Sequence, residues 1–185
     1  MTTRLFVYIL FFTFVPVTVT TTVAQESLQD IGLLKAVFIY NFAKFTRWPE
    51  SQLSSLDNQI NLCAIGEDYF SNNLQVLDGK ILRGRTINIE HFKAKTNDLQ
   101  RCNVLYLAHS IKQETEQILE LLTSKSVLTI SEIPDFSKSG GMIELQTHSD
   151  KVRFTINLMA TRKAGLEISA RLLNLATVVE EDVLQ

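Results

Sequence analysis

The sequence predicts an α/β fold: a mostly parallel sheet flanked by helices on both faces, ending in a C-terminal antiparallel hairpin. Three observations lead there. Short apolar runs at 60–65, 104–107 and 127–130 read as buried strands. Segments between them carry apolar residues at helical spacing, and such alternation favours parallel strands with helical crossovers. Finally, Gly140-Gly141 introduces two runs of strand-forming residues joined by a polar turn.

The elements follow in order. Ile31, Leu34, Phe38, Phe42 and Phe45 recur at three- and four-residue steps, which is a helix period. Leu33, Val37 and Tyr40 fall on the other side, so this helix is expected to be covered on more than one face or to carry a contact surface. Trp48-Pro49 ends it, because the residue before proline is pushed out of helical geometry. The Ile60–Ile65 strand, a Gly66 turn and a short helix around Asp68–Leu77 come next. Thr86–Glu90 alternates polar and apolar like a half-buried strand. After the Val104–Leu107 strand, Ser110 and Gln113 form a capping-box pattern for a helix carrying Ile111, Ile118, Leu119 and Leu122. Val127–Ile130 is the fourth strand. Met142–Gln146 and Val152–Ile156 make the hairpin about a turn at Thr147–Asp150, expected at a sheet edge. Two helices close the chain, Asn157–Ala164 and Ile168–Val179, broken at Gly165; Ile168, Leu172, Leu175 and Val179 share one face of the last.

Composition narrows the function. The chain has 185 residues, 45% of them apolar and 21% charged, and a formal net charge of −2. That balance excludes disorder and a disulfide-dense miniprotein, and it lacks the basic excess of a nucleic-acid binder. The apolar residues are unevenly spread: residues 5–19 hold four of the eleven phenylalanines, with Arg4 the only charge before them. Val23-Ala24-Gln25 follows a threonine run, and Thr22 with Ala24 approximates the small-x-small cleavage rule. Residues 1–24 therefore read as a cleaved export signal, and residues 25–185 as one α/β domain of net charge −3. An uncleaved anchor is the competing reading; the apolar stretch is short against the roughly 20 residues that a spanning helix needs.

Export gives Cys63 and Cys102, the only cysteines, two readings: a disulfide, favoured by an oxidising compartment, or two buried free thiols. Zinc is disfavoured, since the cysteines lie 39 residues apart and His91, His109 and His148 are scattered. No metal or cofactor is implied. The nucleophile elbow, the zinc-protease helix motif and the dinucleotide-binding glycine turn are all absent, and Gly79-Lys80 and Gly84-Arg85 fail the phosphate-loop spacing. Nothing points to an enzyme. In open α/β sheets ligands bind beyond the carboxyl ends of the strands, which makes Gly66, Glu67, His109 and Ser131 the place to look for a pocket.

One resemblance stands out. Leu34–Pro49, LKAVFIYNFAKFTRWP, is similar to the opening helix of the YfiR family of small exported bacterial proteins. The similarity continues through Leu62–Gly66, Arg101–Asn103, Val127–Ser131, Gly140–Ile143, Val152–Leu158 and Ala164–Ala176, in order across nearly the whole chain after residue 24.

The resemblance implies regulation rather than catalysis. Proteins of this family act in the Gram-negative periplasm, where they bind the periplasmic part of an inner-membrane diguanylate cyclase and hold it inactive, lowering cyclic di-GMP and biofilm formation. An outer-membrane lipoprotein can capture the repressor, and members can form homodimers. By motif, Cys63 and Cys102 match one family disulfide. A second family disulfide flanks the Gly-Gly-Met segment; Ser137 and Glu144 occupy those positions here, so that bridge is missing. Partner contacts are expected near Phe136, Met142, Ile143, Thr155 and Thr161. The competing class is a periplasmic small-ligand sensor using the strand-end pocket and feeding a histidine kinase or other membrane receptor.

Overall fold

The computed structural model describes residues 23–54, 58–67, 70–92, 98–148 and 151–179. The export-signal reading falls almost wholly outside this set. Among the described residues no helix is long and apolar enough to cross a membrane.

Helix α1 (Val23–Phe45) leads into the two-residue strand β1 (Thr46–Arg47) and the short helix α2 (Glu50–Ser54). Strand β2 (Gln59–Ile65) is followed by a 3-10 helix at Ser71–Leu77, then β3 (Ile81–Leu82) and β4 (Arg85–Phe92). Strand β5 (Val104–Leu107) runs into a 3-10 turn at His109–Glu114 and helix α3 (Thr115–Leu121). Strands β6 (Leu128–Ser131), β7 (Ile143–His148) and β8 (Lys151–Asn157) precede α4 (Leu158–Lys163). The last elements are β9 (Glu167–Ile168), α5 (Ala170–Leu173) and β10 (Thr177–Val179).

Eight strands form one sheet in the order β10-β8-β7-β6-β5-β2-β4-β3, and β1 pairs with β9 in a separate antiparallel ribbon. Within the large sheet only β3–β4 and β7–β8 are antiparallel, so the mostly parallel α/β fold and its hairpin are both present. Hairpin pairing extends to His148 opposite Lys151, further into the expected turn than the sequence suggested.

Alternation along the strands sends successive side chains to opposite faces. Leu62, Ala64, Val104, Tyr106, Leu128, Ile130, Ile143, Leu145, Phe154 and Ile156 join Ala36, Ile39 and Phe42 of α1 in one core. Cys63, Ile65, Leu105 and Leu107 face the other way, against Ile111, Ile118, Leu122 and Phe136. The sheet is thus packed on both sides. In α1 the buried strip is Ala36, Ile39, Phe42 and Ala43, whereas Leu33, Leu34 and Val37 are exposed. Phe42 is completely buried, with ring centroids 4.9 Å from Phe154 and 6.0 Å from Phe38.

Four local expectations need correction. The segment predicted as one helix over Ile168–Val179 is β9, the single turn α5 and β10; Ser169 caps α5, and β-branched Thr177, Val178 and Val179 pair in parallel with Thr155, Ile156 and Asn157. Consequently the hairpin is not at the sheet edge, because β10 lies outside it. Ser110 does not cap a helix: its Oγ accepts from the Glu67 amide at 2.8 Å, and a 3-10 turn preceded by Ala108 replaces the helix start. The helix expected around Asp68–Leu77 is a 3-10 helix from Ser71, with Asp68 outside the described residues.

Candidate functional site

The carboxyl ends of β2 and β5 meet where the sheet order reverses, the usual ligand crevice of such folds. At Gly66 the following turn packs closely against the backbone. Gly66 sits at φ +87°, and a Cβ there would lie 2.7 Å from Ser110 Oγ and 2.8 Å from Ile111 Cγ2. Only glycine tolerates both the conformation and the crowding. Ser131, fully buried, donates from Oγ to the Leu107 carbonyl at 2.8 Å and accepts from the Ile133 amide at 3.0 Å. Its hydroxyl ties the ends of β5 and β6 together. Glu67 and His109 are exposed at the rim. The structure therefore brings Gly66, Glu67 and the start of the His109 turn together, with Ser131 engaged internally.

On the α1 side of the same strand ends lies a pair that no motif or spacing marks. Lys35 of α1 meets Glu132, just after β6, at 2.6 Å, and both side chains are largely buried. The Lys35 ammonium also sits 5.5 Å from the Phe70 ring centre, which packs edge-on against Tyr106. This cluster locks α1 onto the sheet, a geometry in which an ion pair is held by packing as well as by charge.

Cys63 and Cys102 form a disulfide with Cα atoms 5.9 Å apart, both residues fully buried. The bridge joins the middle of β2 to the residue two before β5. Asn103 continues the join: its Oδ1 accepts from the Asn61 amide, and its own amide donates to the Asn61 carbonyl, both at 2.8 Å. Arg101 pairs with Glu90 and lies 5.3 Å from the Phe92 ring centre, covering the flank of the bridge.

Ser137 and Glu144, where the resemblance implies a second bridge in the family, form a hydrogen-bonded pair. Ser137 Oγ donates to Glu144 Oε2 at 2.8 Å and the Ser137 amide to the same oxygen at 3.1 Å, with both residues nearly fully buried. Gln146 Nε2 donates to Glu144 Oε1 at 2.8 Å, and Asn157 Nδ2 donates to the Ser137 carbonyl at 2.7 Å. A buried carboxylate is tolerable only when its lone pairs are used in this way.

Around this network lie the expected partner residues. Phe136, Met142, Ile143 and Thr161 are buried and Thr155 is half-buried. Ile143 pairs with Ile130 and Ile156, and Thr155 stands between Glu144 and Thr177 in the ladder. Gly141 lies so close to Phe136 that a Cβ would fall 2.2 Å from its ring. Thr161 Oγ1 donates to the Leu158 carbonyl at 2.8 Å. Of these, Met142 floors the surface beside α4 and Phe136 lines an adjoining recess, whereas Ile143 faces the α1 core on the other side of the sheet.

That surface is a groove of about 750 Å³ between α3 and α4, floored by Thr129, Met142 and Asn157. A neighbouring recess of about 630 Å³, under Pro134 and Phe136, shares Glu116, Ser139 and Asn157 with it. The first wall carries Glu116 and Glu120 of α3, the other Arg162 and Lys163 of α4, all exposed. Among the described residues no cluster of His, Cys, Asp and Glu could hold a metal ion.

The YfiR/HmsC-like family profile matches residues 33–177, from the middle of α1 to the start of β10, and the chain belongs to that family. Family membership fits a periplasmic regulator rather than a catalyst, and at the level of the family it implies interaction with a membrane diguanylate cyclase.

Proposed function

We propose that this chain is a periplasmic repressor that binds the periplasmic part of an inner-membrane diguanylate cyclase and keeps cyclic di-GMP low, so that its loss favours biofilm formation. The observation that carries the reading is the family match, which spans the described domain nearly end to end. Residues 1–24 are its export signal, cleaved after Ala24, and residues 25–185 the working domain. Partner contacts lie near Phe136, Met142, Ile143, Thr155 and Thr161, with Met142 and Phe136 acting through the recesses they line. An outer-membrane lipoprotein that captures the repressor, and homodimerisation, complete the proposed circuit.

Deleting the gene should raise cellular cyclic di-GMP, and supplying the exported chain from a plasmid should restore the low level. An unchanged level on deletion, in cells that still make an active cyclase, would overturn the repressor reading. The intact mass of periplasmic material should correspond to a chain starting at Gln25.

A further inference from the structure

We propose that the groove between α3 and α4 is the docking site for a polypeptide segment of the cyclase, one that presents an apolar side chain between a basic and an acidic residue. The proposal rests on the repressor reading and goes beyond it by naming the surface and the chemistry of the partner.

Charge is the first argument. Glu116 and Glu120 stand one helical turn apart on α3, and Arg162 and Lys163 end α4, yet no ion pair crosses the groove among the described residues. Helix-end preferences account for an acid in the first turn of α3 and bases in the last turn of α4. They do not account for Glu120, at the far end of α3, nor for the apolar strip between the walls. There Leu119 is half-buried and Met159 is 40% exposed, above Met142 and Ala164. A methionine left partly exposed in a concave site suits an adaptable contact with another protein's side chains.

The floor argues for a polypeptide over a small molecule. Small-ligand sites rely on a few convergent polar groups free to bond the ligand. On the floor, Asn157 and Thr129 are already engaged, leaving only the exposed rim hydroxyls of Ser124 and Ser139 and the charged walls: Asn157 Oδ1 accepts from the Ala160 amide, Asn157 Nδ2 donates to Ser137, and Thr129 Oγ1 accepts from the Met142 amide. Among the described residues, the buried side-chain polar atoms that lack a partner, Trp48 Nε1 and Asn103 Nδ2, line neither recess. Beyond those rim hydroxyls the groove offers apolar surface and two rows of exposed charge, and these match a side-chain row on a protein.

The test measures association of the mature chain with the purified periplasmic domain of the cyclase whose output rises on deletion. Reversing either wall, Glu116→Lys with Glu120→Lys or Arg162→Glu with Lys163→Glu, should slow association roughly tenfold and flatten its dependence on salt. Met159→Asp should instead speed dissociation. All five positions are exposed, so circular dichroism should match the unaltered chain, and the wall reversals should lower the melting temperature only slightly through the helix-end charges. Leu33→Asp, on the exposed side of α1, should bind normally. Normal binding by both wall variants and by Met159→Asp would overturn the groove alone, as would loss of binding in Leu33→Asp with the groove variants intact. Failure of the unaltered chain to bind would remove the repressor reading and the proposed occupant with it.

Discussion

On the face of the sheet opposite α1, the β2 and β5 half sends down Cys63, Ile65, Leu105 and Leu107, all fully buried beneath Ile111, Ile118 and Leu122. From β6 onward the same face carries Thr129, Ser131, Glu144, Thr155 and Asn157. The first half is an apolar core closed by a covalent bridge. The second is held by hydrogen bonds and lies open along the groove. The first half is tied by Cys63–Cys102 across 39 residues of sequence, and the second by hydrogen bonds, among them the buried Ser137–Glu144 pair. The difference teaches where redox chemistry can act: reduction reaches only the apolar half, while the half that lines the groove has no redox-sensitive cross-link.

The largest effect should come from breaking the covalent side. Cys63→Ala with Cys102→Ala releases a loop spanning 39 residues of sequence, which the chain-entropy account values at about 4 kcal/mol. Urea unfolding at neutral pH should show a loss approaching that size. Because both sulfurs are fully buried, reductant should cleave the bridge only through an opening of the β2–β5 region. Added urea should then accelerate cleavage, and a cleavage rate in dithiothreitol independent of urea would contradict that route.

Removing the polar cross-link should be smaller but sharper in pattern. Glu144→Ala leaves the Ser137 amide and hydroxyl without their acceptor, at about 1–3 kcal/mol for a buried unsatisfied group. Ser137→Ala should cost less, since the backbone donor keeps its bond. The double variant should fall short of the sum, and a double-mutant cycle on urea midpoints reads that coupling. Additive losses would mean that the two side chains do not act as one link. Neither variant should alter the rate at which reductant cleaves Cys63–Cys102.

The covalent half was far more legible in the sequence than the polar half. Buried parallel strands announce themselves as continuous apolar runs, so β2, β5 and β6 could be placed to within a residue or so. The two cysteines followed once export was inferred. By contrast, the i, i+4, i+7 recurrence of Ile168, Leu172 and Leu175 imitated a helix face although Leu175 is 74% exposed; the run Thr177-Val178-Val179 was the competing strand signal. That misreading put the hairpin at an edge and made Met142 and Ile143 look available for contact. The Gly66, Glu67, His109 and Ser131 neighbourhood follows from topology, yet whether such a crevice is open depends on side chains from the next turn, here Ser110 and Ile111. The groove depends on residues from α3, the 136–142 loop and α4, segments with no shared spacing in the chain.

The smallest expected effect lies on the rim of the polar half, where Lys138 meets Asp135 at 2.7 Å in full exposure. A hydrogen bond from Lys138, reinforced by its charge, holds the Asp135 carboxyl below its ordinary range, and the same contact raises Lys138 above its own. A carboxyl with a depressed folded-state value contributes stability above its unfolded value and loses it as pH falls through the folded one. The raised lysine contributes below its unfolded value and loses that as pH rises through the folded one. The pair is thus fully in place only between the two titrations, and water and salt screen it throughout. Lys138→Ala should return the Asp135 carboxyl toward its ordinary titration, as read by carbon-detected NMR. Urea unfolding near neutral pH should scarcely change, in contrast to both cross-links beneath it. A large loss of stability in this variant would mean that the loop over Phe136 is held from its surface and not by Glu144 from below.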